Sequence, residues 1–215
     1  MKILILTVRP PFEKKTGDQI VAMKWIDLLS KEYEVFIISI LPFKNTKNLD
    51  IPKNYLSLNL PKSQIFFAGL RTLFSNIPIQ AGIFFNKKKH AELENFISNH
   101  RIDLVMGFLI RTWPYLENLK NNTVIHFIDS MTLNFERRLN NASFFIKKLL
   151  KMEINRLKIY EKSASEGSIL SLAVSLLDAN YLSSSSNKII DPLSIDLKEF
   201  YPPKNQPSEI KIVFS

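Results

Sequence analysis

Met1-Lys-Ile-Leu-Ile-Leu-Thr7 opens the chain, followed by the loop Val8-Arg-Pro-Pro-Phe-Glu-Lys-Lys-Thr-Gly-Asp18 and an apolar helix face at Val21, Trp25 and Leu28. A near-continuous apolar run of strand length is what a parallel strand covered on both faces requires. Strand, loop and helix in this order make the opening unit of a doubly wound α/β sheet. Runs of the same kind recur at Val35 to Ile40, Leu104 to Phe108, Val124 to Ile128, Ile169 to Val174 and Ile210 to Phe214, with a weaker one at Lys188 to Ile190. Helical patterns lie between them over Gly17 to Ser30, Gln64 to Phe74, Lys87 to Asn99, Arg111 to Leu119, Ser143 to Ser163 and Leu176 to Leu182. Their alternation predicts an α/β fold: a parallel sheet with helices on both faces.

Composition narrows the function classes. With 215 residues, 46% hydrophobic and 23% charged, the chain has the make-up of a globular domain with its own core. The absence of cysteine excludes disulfides, thiolate metal sites and a cysteine nucleophile. His90, His100 and His126 are too scattered for a zinc site, so no metal is expected. No small-residue cleavage site follows the opening run, which is therefore expected to be a strand of a cytoplasmic protein and not a signal peptide. Ile65 to Phe85 is interrupted by Arg71, Ser75, Asn76, Pro78 and Gln80, which argues against a membrane span. The Asn-x-Ser/Thr triplets at Asn121 and Asn141 are expected to carry no glycan. A net charge of +9 points to an anionic partner: a phosphorylated ligand, an acidic membrane surface or nucleic acid. No zinc finger, RNP-type aromatic motif or heptad-linked basic region is present, which sets nucleic acid aside.

Prolines mark the joints at Pro10-Pro11, Pro42, Pro52, Pro61, Pro78 and Pro192. Paired prolines in Tyr201-Pro-Pro-Lys-Asn-Gln-Pro-Ser208 cannot continue a helix and read as an extended linker. Residues 1–200 are then expected to form one domain, 201–208 a linker, and 209–215 the first strand of a second domain that this chain does not contain.

In open α/β sheets ligands bind beyond the carboxyl ends of the strands. The polar residues placed there are Arg9 after the first strand, Gly17 and Asp18 at the opening of the first helix, Arg111 after Leu104 to Phe108, Asp129 and Ser130 after Val124 to Ile128, and Ser175 and Asp178 after Ile169 to Val174. Gly17 permits the helix-opening turn, and a free helix N-terminus there binds phosphate. With five glycines in all and no Gly-x-Gly-x-x-Gly, dinucleotide binding of the dehydrogenase kind is not expected. Asp129 has two readings: N-cap of a helix starting at Met131, or acceptor for the hydroxyls of a sugar-like ligand. Arg111 either pairs with Glu117 or Asp129, or holds an anionic ligand through its planar fork. His126 reads as a hydrogen-bonded core residue within its strand.

On a helical projection of Ser143 to Ser163, Lys147, Lys148, Lys151, Lys158 and Lys162 gather on one side. Phe145, Ile146, Leu149, Leu150, Met152, Leu157, Ile159 and Tyr160 fill a broad opposite arc. Such a helix either packs on the core with a solvated lysine stripe, or approaches anionic lipid with its basic face, with Lys87-Lys88-Lys89 adding to the same surface.

Taken in order, several segments resemble the bacterial glycosyltransferases of family four, whose GT-B architecture has two facing Rossmann-like domains. They are Arg9-Pro10-Pro11 with Gly17; Leu73-Phe-Ser-Asn-Ile-Pro78; Asp103-Leu-Val-Met106 followed by Arg111-Thr-Trp-Pro-Tyr115; His126-Phe-Ile-Asp-Ser130 leading to Glu136-Arg137-Arg138; Glu153 and Arg156 ahead of Tyr160-Glu161; Val174-Ser175 with Asp178; and Pro192-Leu-Ser-Ile-Asp196 with Phe200-Tyr-Pro202. The resemblance is to the N-terminal, acceptor-side domain and covers almost the whole chain. Gly17-Asp18 stands where the family has paired glycines, and Leu193-Ser194 where it has Asn-Gly. The resemblance implies a retaining transfer of a sugar from a nucleotide diphosphate sugar to a hydroxyl, in surface polysaccharide or glycolipid synthesis. The nucleotide sugar is a substrate, bound mainly by the second domain, and no separate cofactor is implied. This domain would supply the sugar or glycolipid acceptor side of the cleft, with the Gly17 loop facing the donor diphosphate, and would be inactive alone. The alternative is a non-catalytic α/β module that binds a partner or a membrane surface.

Overall fold

A computed structural model describes residues 1–13, 16–42, 51–73, 75–119, 122–140, 142–182 and 187–192. Its strands are β1 (Lys2–Thr7), β2 (Glu34–Ser39), β3 (Tyr55–Ser57), β4 (Leu104–Phe108), β5 (Asn122–Ile128), β6 (Leu170–Ala173) and β7 (Lys188–Ile190). They form a seven-stranded sheet in the order β3-β2-β1-β4-β5-β6-β7, and each neighbouring pair is parallel. The helices are α1 (Gly17–Leu29), α2 (Lys62–Leu73), α3 (Ile79–Gly82), α4 (Lys87–His100), α5 (Met131–Leu139), α6 (Phe144–Gly167) and α7 (Leu176–Tyr181). The expected Rossmann-like, doubly wound architecture is what the chain adopts. The expected linker and final strand, Ile210 to Phe214, lie outside the described residues.

Period-two alternation along each strand divides its side chains between two cores. Leu4, Leu6, Phe36, Ile38, Val105, Ile125 and Phe127 share one face with Leu93 and Ile97 of α4 and Ala164 of α6. Ile5, Val35, Ile37, Met106, Phe108, Val124 and Leu172 share the other with Val21, Ala22 and Ile26 of α1. Both faces are covered, and this is why the strands read as unbroken apolar runs.

Local chemistry explains where the elements depart from expectation. Pro114 lies inside the segment expected to be a helix over Arg111 to Leu119. Without an N–H it cannot make the α-helical bond, and the chain closes instead as a 3₁₀ turn over Ile110–Tyr115. Strand β3 is three residues long and pairs with β2, and it is too short to show periodicity. Helix α6 runs on to Gly167, past the expected end at Ser163. The strand order reverses between β1 and β4, so the loops after these two strands flank the switch-point crevice where ligands of such sheets bind.

Candidate functional site

Four of the expected residues meet at the carboxyl edge of the sheet. Arg9, just past β1, places its guanidinium 3.4 Å from the carboxylate of Asp18 in the first turn of α1. The intervening loop is tied down by Gln19, whose Nε2 donates to the Pro10 carbonyl at 2.6 Å while its Oε1 accepts from the Thr16 backbone N–H at 3.2 Å. A Cβ built on Gly17 meets nothing within 4 Å, so the backbone at the helix start is open to close approach.

Arg111 enters from the 3₁₀ turn after β4. Its Nη2 donates to Gln80 Oε1 at 2.8 Å, and its guanidinium lies 5.6 Å from the Phe84 ring centroid. Burial pulls its pKa below the ordinary arginine value, and the like charge of Arg9 pulls the same way against Asp18 and Asp129. Arg111 therefore lies within electrostatic reach of Arg9, Asp18 and Asp129. Arg111 bonds neither Glu117 nor Asp129: its hydrogen-bond partner among the described residues is the neutral Gln80, and one such bond uses one of the five donors of a guanidinium.

The two residues after β5 divide their roles differently from expectation. Ser130, not Asp129, caps α5: its hydroxyl accepts from the Leu133 N–H at 3.2 Å. That hydroxyl donates to Glu161 of α6 at 3.0 Å, while the Ser130 N–H donates to Asp178 at 3.0 Å. Ser130 is fully buried and its hydroxyl is occupied within the protein. Asp129 is part-exposed, and its carboxylate accepts from the Asn134 side chain. Ser175 caps α7 and donates to Asp178, so both of these also serve the protein's own hydrogen bonding.

Sequence reasoning missed Gln80 and Asp191. Gln80 holds Arg111, and its own backbone N–H donates to the buried Glu153 of α6 at 3.3 Å. Asp191 follows β7 and accepts from Lys24 at 2.8 Å and Trp25 at 2.9 Å, both on α1, and contacts His126 at 3.2 Å. The position of Asp191, one residue past a strand end, was the available signal.

Helix α6 does not bury its whole apolar arc. Ile154 and Leu157 are core residues, but Phe144 is 80% exposed and Phe145 is 85% exposed, and Ile146, Leu149 and Ile159 are exposed as well. Lys158 is engaged by Glu136 at 2.8 Å and Lys162 by Glu166 at 3.9 Å. Among the described residues Lys147, Lys148 and Lys151 have no ion-pair partner, and they sit beside the exposed aromatics. No helix among the described residues is long and apolar enough to cross a membrane. No group of three metal-ligating side chains occurs among them either.

No family model matches the sequence, and no curated protein matches it. Similarity to solved structures is clear at the level of the fold. Sucrose-phosphate synthase from Thermosynechococcus elongatus superposes with a TM-score of 0.62 at 13% identity, covering 94% of this chain and 51% of that one. A second, shorter structure of that protein gives a TM-score of 0.52 at 10% identity, covering 93% of this chain and 92% of that one. UDP-N-acetylglucosamine 2-epimerase from Rickettsia bellii matches over 87% of this chain and 43% of that one at 11% identity, with a TM-score of 0.48. The chain thus spans about half the length of the longer synthase structure, 51%, and shares with it the Rossmann-like α/β fold.

Proposed function

We propose that this chain is the acceptor-side, Rossmann-like half of a GT-B glycosyltransferase resembling family four. In this reading it serves retaining transfer of a sugar from a nucleotide diphosphate sugar to a hydroxyl of a polysaccharide or glycolipid acceptor. The observation that supports it is the placing of Arg9, Asp18, Arg111 and Asp129 at the carboxyl edge of the sheet within electrostatic reach of Arg111, beside the open backbone of Gly17. Asp129 is a hydrogen-bond acceptor suited to sugar hydroxyls, and the Arg111 fork suits an anionic part of the ligand. The chemical task is to stabilise a departing diphosphate and developing positive charge on the sugar while an acceptor oxygen is held within reach. The present half would position the acceptor, and a second domain beyond a linker at 201–208 would hold most of the donor.

Exposed Phe144, Phe145, Ile146 and Leu149 beside Lys147, Lys148 and Lys151 support a second part of the reading, docking of α6 on an anionic membrane surface where a glycolipid acceptor would reside. Incubating this chain, and a version extended through the coding sequence beyond Ser215, with labelled nucleotide sugars and membrane extract tests the whole. Transfer by the extended version alone is expected. Turnover by the present chain would overturn the division of labour, and no transfer by either would overturn the enzyme reading.

A further inference from the structure

The end of β5 is a strained corner with a buried support. Ile128 has a φ of 66°, a left-handed conformation that a β-branched residue strongly disfavours. The register with β6 shifts between His126 and Ile128, and the Asp129 N–H donates back to the Phe127 carbonyl at 2.9 Å. In such a bulge the Ile128 N–H has lost its ladder partner. His126 supplies one: its Nδ1 lies 3.1 Å from that nitrogen and accepts the bond.

An acceptor nitrogen carries no proton, so the ring proton sits on Nε2 and is donated to Asp191 Oδ2 at 3.2 Å. Asp191 is fixed in turn by Lys24 and Trp25. His126 itself is 0% exposed and stacks on Phe108 at 5.4 Å between ring centroids, so its ring plane is held by packing and the way round it lies by its two hydrogen bonds.

We propose that His126, set in its Nε2–H tautomer by Asp191, is a positioning residue that holds the left-handed corner at Ile128 and thereby presents the Asp129 carboxylate to the crevice. The inference rests on the glycosyltransferase reading only for what Asp129 does there; the placement itself is readable without any sugar.

The test is nuclear magnetic resonance on this chain. In the unaltered protein the ¹⁵N shifts of His126 are expected to show a protonated Nε2 and an unprotonated Nδ1, and the opposite tautomer would overturn the proposal. His126→Phe removes the acceptor. Hydrogen exchange at the Ile128 amide is expected to accelerate roughly tenfold or more, and the Asn134 side-chain amide that donates to Asp129 to shift. His126→Asn, whose amide oxygen can replace Nδ1, is expected to restore both. Unchanged Ile128 protection and Asn134 resonances in His126→Phe would refute the positioning role. Should that variant fail to fold, Asp191→Leu, which removes the acceptor at Nε2, decides the matter: loss of the Nε2–H tautomer together with a shifted Asn134 side chain supports the relay, whereas an unchanged tautomer or an unmoved Asn134 refutes it.

Discussion

Replacing Gly107 by alanine perturbs the corner that carries Arg111. A Cβ at Gly107 would lie 2.4 Å from Leu116 Cδ1 and 2.5 Å from Thr112 Oγ1. Leu116 and Thr112 are both buried, and the Thr112 hydroxyl donates to the Leu109 carbonyl at 2.9 Å, so neither neighbour moves freely. Overpacking of this severity costs about 1–3 kcal/mol, and disturbing the Thr112 bond adds about 0.5–1.5 kcal/mol. Against this, loss of glycine's freedom in the unfolded chain returns about 0.4–1 kcal/mol. The net spans about 0.5–4 kcal/mol with its centre at about 2 kcal/mol, which at that centre lowers Tm by roughly 4–8 °C for a domain of this size. Gly17→Ala is the internal control, because nothing lies within 4 Å of its Cβ; its Tm should hold or rise slightly. Urea and thermal melts followed by far-UV circular dichroism measure both. A Gly107→Ala protein within about 0.5 kcal/mol of the parent would refute the packing account of that strand and turn.

Leu157→Ala should cost about 2–5 kcal/mol in urea melts, because Leu157 is wholly buried between α6 and α5. Burial holds the His126 pKa below its usual 6.5, with Asp191 opposing. The unfolded chain therefore takes up that proton first, and this contribution to stability is complete above pH 6.5 and is lost as pH falls from there toward the lower folded value. His126→Asn should flatten that part of the stability–pH curve, and an unchanged slope would count against a buried neutral imidazole. Phe144→Ser with Phe145→Ser should abolish sedimentation with anionic vesicles while leaving Tm unchanged, since both rings are exposed. In an extended, active protein Arg111→Ala should lower kcat/KM by roughly 10- to 150-fold, the loss of one charge-assisted contact of about 1.5–3 kcal/mol; activity within twofold of the parent would remove Arg111 from the site.

The sheet was legible because burial on both faces writes itself into the sequence as unbroken apolar runs, as at Ile3 to Leu6 and Val124 to Ile128. The convergence of Arg9, Asp18, Arg111 and Asp129 followed from parallel topology alone, since every strand then ends at the same edge. Four features resisted reading. Strand β3 is too short to be periodic. The cap of α5 is Ser130 and not Asp129, because Ser130 immediately precedes the first helical residue, Met131, and its hydroxyl reaches the Leu133 N–H. The partners of Arg111 and His126, Gln80 and Asp191, lie 31 and 65 residues away in sequence, a separation over which no local pattern carries information. The exposure of Phe144 and Phe145 is of the same kind, because which arc of an amphipathic helix finds a partner depends on what the remainder of the fold leaves uncovered.

The two central strands that feed the crevice end alike. Leu109 after β4 has a φ of 68° and Ile128 at the end of β5 has a φ of 66°, and neither is glycine. Each comes one or two residues before a charged side chain of the crevice, Arg111 and Asp129. Each is also held by a buried side chain of its own segment: Thr112 donates to the Leu109 carbonyl, and His126 accepts from the Ile128 N–H. Conformations of this kind cost about 1–3 kcal/mol apiece and persist only where surrounding contacts over-determine them. Glycine at either position would relieve the strain at little steric cost, but a flexible corner would no longer hold the following charge in one place. If the strain serves placement, Leu109→Gly and Ile128→Gly should leave stability nearly unchanged or lose only the buried side chain's contribution, while loosening Arg111 and Asp129. Side-chain relaxation measurements at Arg111 that show no gain in mobility in Leu109→Gly would break the link between the strained corners and the crevice.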